Sequence, residues 1–114
     1  MANLPEDTIN TVFSLQRRLL QLGHEASATA FVILEQFGET EETIPELEEL
    51  DNVRERAIGY SSRLYRLLWQ SAVSQPVATA ATMNLLARSI AEAEAGVDAG
   101  YASIQDVKRN WNLS

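Results

Sequence analysis

Every proline of this chain stands two residues after a small polar side chain: Asn3-Leu4-Pro5, Thr43-Ile44-Pro45 and Ser74-Gln75-Pro76. Asn, Thr and Ser accept hydrogen bonds from the orphan N–H groups at a helix start. Proline is tolerated in a first turn, where its missing N–H has no intrahelical partner to lose. Glu6 and Glu46 follow the first two prolines and complete capping boxes with Asn3 and Thr43. The pattern therefore predicts three helix starts, near residues 5, 44 and 75.

Apolar spacing supplies the rest of the plan. Val12, Leu19, Ala26 and Ile33 keep a seven-residue step, and so do Phe13, Leu20, Ser27 and Leu34. Gly23-His24 is either a tight turn between two helices or a weak point inside one. A turn would disturb the phase, so one long helix over 5–37 is favoured, closed by Gly38 as a C-terminal cap. Continuity puts Gly23, Ala26, Ser27 and Ala30 on one side of its middle, where another helix could approach closely. Glycine there costs about 1 kcal/mol relative to alanine, a loss that close packing would have to offset.

The second helix is expected over 44–73. Acids crowd its first turns, where they suit the helix dipole; Leu64, Tyr65, Leu67, Leu68, Trp69, Ala72 and Val73 later spread around most of its circumference. So wide an apolar arc must be covered on more than one side, by central placement in a bundle or by a second chain. The third helix is expected over 75–95, followed by a bend at Gly96–Gly100 and a short helix over 103–111 opened by Ser103 and Asp106. A kinked continuation is the alternative, since Val97, Ile104 and Trp111 hold the seven-residue step. No segment alternates with period two. The expected fold is all-α: one domain over 1–114, an antiparallel bundle of three long helices plus a short C-terminal helix.

Composition narrows the function classes. The chain has 114 residues, 46% of them apolar and 22% charged, with a net charge of −7. A field of that sign repels phosphate backbones, which argues against nucleic acid as the principal partner. The absence of cysteine excludes disulfides, thiol nucleophiles and thiolate metal sites. No apolar run approaches the roughly 20 residues of a membrane span, and the first residues lack signal-peptide character, so a cytoplasmic protein without a membrane partner is expected.

Catalytic patterns are missing too. His24 beside Glu25 is the one candidate acid–base pair, with no second positioned group in view. Eight of the sixteen acids lie between Glu35 and Asp51, without the alternating ligands and glycine of a calcium loop. Glu39, Glu41, Glu42, Glu46, Glu48 and Glu49 instead read as a solvated surface or an acidic docking patch for a basic partner. No cofactor, metal site or enzymatic activity is expected. Aromatics beside arginines are the usual anchors of protein interfaces, which singles out Tyr60, Arg63, Tyr65, Arg66, Trp69 and Trp111. Tyr65 and Trp69 are also readable as core, and Trp111 as docking back onto the bundle.

Ser89-Ile90-Ala91-Glu92-Ala93-Glu94-Ala95-Gly96, with Tyr101-Ala102-Ser103-Ile104-Gln105-Asp106-Val107 after it, resembles the closing segment of some bacterial antitoxins. The likeness covers under a quarter of the chain. It implies a tail, 89–111, that a partner protein orders; the basic or strand-rich DNA-binding half of such proteins has no counterpart here. Three functions follow as expectations. The first is a non-enzymatic protein–protein interaction module (adaptor, regulator or assembly factor) that forms a homodimer. The second is an antitoxin-like protein binding its partner through 89–111. The third is a helical bundle holding a small ligand near His24, Tyr60 or Tyr65.

Overall fold

The computed structural model describes residues 4–113, which form three helices: α1 (Glu6–Phe37), α2 (Ile44–Val73) and α3 (Ala80–Asn110). At 1.5 Å per residue each helix is about 45–48 Å long, and the bundle is a rod of 57 × 20 × 17 Å. Cross-helix pairs define an up-down-up arrangement. Gln16 on α1 bonds Ser61 on α2, Arg63 on α2 pairs with Glu92 on α3 at 3.5 Å, and Lys108 on α3 reaches Glu25 on α1 at 3.6 Å.

The core follows the first of the two seven-residue registers. Val12, Leu19, Ala26 and Ile33 are buried against Leu50, Val53, Ala57 and Leu64 of α2 and Leu86, Ala93, Val97 and Ile104 of α3. Removing one leucine or valine side chain from water contributes about 1.5–3 kcal/mol, so this continuous seam is the main stabilising feature. α1 passes through Gly23 unbroken and closes at Gly38, whose φ of 75° suits glycine and whose N–H donates to Leu34 O.

Helix starts depart from the expected caps in physically instructive ways. Asn3 lies outside the described residues, and Pro5 occupies the cap position of α1. Thr43 does precede α2, but its hydroxyl turns inward. It accepts from Thr40 N and donates to Gly38 O, both at 2.8 Å, and the residue is fully buried. The capping box is not formed: Thr43 N–H donates to Thr40, and Glu46 Oε2 is buried without a partner. The loop is closed by threonine hydroxyls instead.

The third start is a correction. Ser74 ends α2, with its hydroxyl donating back to Gln70 O at 2.6 Å, and α3 begins only at Ala80. There Thr79 accepts from Thr82 N at 3.1 Å, so a threonine cap wins over the Ser-x-Pro signal upstream. The expected bend at Gly96–Gly100 and the separate 103–111 helix are also corrected: α3 is continuous to Asn110. Both glycines serve close approach. A Cβ on Gly96 would overlap the Tyr60 ring, and one on Gly100 would lie 2.8 Å from Leu22 Cδ2. Trp111 packs on Phe37, with ring centroids 4.9 Å apart, sealing the end of the bundle where α1 and α3 finish.

Candidate functional site

One face of the bundle keeps its apolar residues in the open. It is the groove side of α1 and α2, which α3 reaches only at Tyr101. α1 contributes Phe13 and Leu20 from its second seven-residue register, and α2 contributes Ile58, Tyr65, Trp69 and Val73 at helical spacing. Tyr65 is 62% exposed and Trp69 55%, and their rings meet edge to face at 6.5 Å. Three helices cannot surround α2, and the uncovered part of its wide arc lies here. The core reading of Tyr65 and Trp69 is thereby overturned.

A polar bridge crosses the middle of this face. Gln16 Nε2 donates to Ser61 O at 3.0 Å, and Ser61 Oγ donates to Gln16 Oε1. These bonds fix the register of the two helices and divide the groove. On one side lies a narrow hollow of about 540 Å³ between Phe13, Tyr65 and Trp69. On the other lies a wider trough of about 1210 Å³, with Leu20 and Ile58 on its walls, the small residues Gly23, Ser27 and Ala57 along it, and Tyr101 of α3 at its edge. Gln16, Ser61 and Ser62 border both hollows, whereas Leu20 and Ile58 stand within the wider one. A Cβ on Gly23 would meet nothing within 4 Å. Nothing within the bundle therefore uses the closeness this glycine permits.

Charge is graded along the same face. Arg66 stands at the narrow end beside Tyr65 and Trp69, exposed, and among the described residues no carboxylate pairs with it. At the other end of the same α2 side, Arg54 is shared between Asp51 and Glu55 at 3.2 Å each, with Glu48 one turn further on. One cation among three acids leaves that end negative.

The other expected site residues are dispersed. Tyr60 is half-buried against Gly96, and Arg63 pairs with Glu92, so both serve the contact between α2 and α3. Trp111 seals the bundle end, well removed from Trp69. Glu39, Glu41, Glu42 and Glu48 are exposed around the first loop and the start of α2, with Glu46 and Glu49 partly covered. Among the described residues no cluster of acids and histidine could hold a metal ion. Nor is any described helix long and apolar enough to cross a membrane. His24 lies on the rim of the wide trough, whereas Tyr60 and Tyr65 line separate hollows, so the three do not converge on one cavity. In the 89–111 segment, Ser89, Ala93, Val97, Gly100, Ile104 and Val107 are buried in the bundle.

Phe13, Gln16, Leu20, Ile58, Ser61 and Ser62 were not singled out from the sequence. The signal was present in the Phe13–Leu20–Ser27–Leu34 step, which ran beside the core register without saying which of the two would be covered. Comparison with protein families, curated proteins and solved structures gives no match.

Proposed function

We propose that this chain is a non-enzymatic, cytoplasmic protein–protein interaction module whose working surface is the apolar α1/α2 face, with helices as the elements it receives. The observation that carries this is the joint exposure of Phe13, Leu20, Ile58, Tyr65, Trp69 and Val73 on one side of an otherwise well-packed bundle. A contiguous apolar patch of this kind marks an interaction site. Its make-up fits: large aromatics with arginine at one end, small residues along the middle, and a groove bounded by two parallel ridges as a docked helix requires.

The test is site-specific photo-crosslinking in the cells that express the protein, with benzoylphenylalanine replacing Tyr65, or replacing Asn84 on α3 as a control. Crosslinking to protein from the Tyr65 position, abolished by Phe13→Ala, is expected. No protein adduct from the groove position, or equal adducts from both, would overturn the reading.

A further inference from the structure

The groove is complementary to itself, and we propose that its occupant is a second copy of this chain, related by a two-fold axis running across the bundle through Leu20 and Ile58. This rests on the α1/α2 face being the interaction surface and names what covers it.

Two observations point to the same axis, and a third shows that the face is large enough for it. The first is shape. Phe13 lies seven residues before Leu20 and Ser27 seven after it. A two-fold axis at Leu20 therefore sets each Phe13 ring over the Gly23–Ser27 floor of the other copy. The axis crosses the 1210 Å³ trough, so each Phe13 ring reaches the Ser27 end of the other copy's trough, where no bulky side chain of that register stands. The glycine left idle inside the bundle then faces the ring of the second copy.

The second is charge. Arg66 lies eight residues after Ile58 and Asp51 seven before it. The same axis sets each unpaired Arg66 beside Asp51 and Glu55 of the second copy, where one arginine is shared between two carboxylates. An axis parallel to the bundle would instead place like ends together. The Gln16–Ser61 register makes the α1 and α2 halves of this argument agree, because it sets Leu20 level with Ala57–Ile58. An isologous contact needs such agreement, since every pairing occurs twice.

The third is area. One long side of a rod 57 by 20 Å offers on the order of 1,000 Å², against roughly 800 Å² per partner in a stable interface.

The absence of native cysteine makes the test clean. Ile58→Cys sits on the axis and is expected to form an intermolecular disulfide under mild oxidation. Val73→Cys lies about 22 Å along the helix from the axis and should not. Sedimentation equilibrium should show a dimer of the 12.7 kDa chain. Arg66→Glu and Asp51→Arg should each raise its dissociation constant roughly fivefold or more. The double variant Arg66→Glu/Asp51→Arg should return near the wild-type value, because both pairs are rebuilt with reversed sign.

A monomer at all concentrations would overturn the second-copy assignment. So would a dimer in which Ile58→Cys stays unlinked, or in which the double variant is no tighter than either single one. Photo-crosslinking from Tyr65 separates the two levels. An adduct with a different protein refutes self-association and keeps the interaction surface; no adduct with any protein removes both.

Discussion

α1 carries two apolar registers one residue apart, and they have opposite fates. Leu19 is 2% exposed and Leu20 77%. Val12, Ala26 and Ile33 share the burial of Leu19; Phe13, Ser27 and Leu34 share the exposure of Leu20. Both registers keep the same step and rotate together, so nothing local to α1 distinguishes them. The difference is made by α3, which covers the first and leaves the second beside an uncovered strip of α2. A helix with a wide apolar arc thus describes the number of neighbours it can hold, and a three-helix bundle supplies one too few.

The largest test of this contrast is to truncate both leucines. Leu19→Ala should cost about 2–5 kcal/mol, the transfer loss plus a cavity that neighbouring helices cannot close. Leu20→Ala should stay within about 0.5 kcal/mol. Urea unfolding at protein concentrations too low for association reads both. Equal losses would mean that the second register is covered within a single chain.

A smaller effect compares glycines. Gly100→Ala forces a methyl against Leu22 and Val53, both buried in the core. It should cost roughly 1–2 kcal/mol, overpacking outweighing the gain in helix propensity. Gly23→Ala has open space and should stabilise the isolated bundle by about 1 kcal/mol. Melting temperatures of the two variants should therefore move in opposite directions. A loss at Gly23 would show that something inside one chain already packs there.

The smallest contrast lies in the loops. Thr43→Val removes a hydroxyl that bonds both Gly38 O and Thr40 N in a fully buried position, and should cost about 1–2 kcal/mol. Thr79→Val removes an exposed cap and should cost about 1 kcal/mol or less. Amide exchange near Thr40, compared with that near Thr82, shows which connection loosens.

The three-helix plan was readable because its signals are local. The closure at Gly38 and the passage of α1 through Gly23 rest on a short-range cap and on one stripe's phase, and the start of α2 on the proline of its first turn. Most of the failures required a neighbour. Gly96 and Gly100 look like a bend until Tyr60 and Leu22 are seen packed on them. Thr43 is a cap in sequence, but the buried loop needs its hydroxyl more. Ser74 lost its helix to Thr79, a competition between two valid starts that spacing alone does not decide. The exposed apolar face was hardest, since its residues have core composition and only the count of helices exposes them.

The two indoles sit at opposite ends of the rod, Trp69 open on the apolar face and Trp111 stacked on Phe37 at the sealed end. This division makes the molecule its own optical instrument. Emission from Trp69 responds to whatever settles on the face, and emission from Trp111 responds to fraying of the chain's last turn. A Trp→Phe substitution at either position isolates the other signal. Occupancy and unfolding can then be followed separately in one sample, without attaching a label.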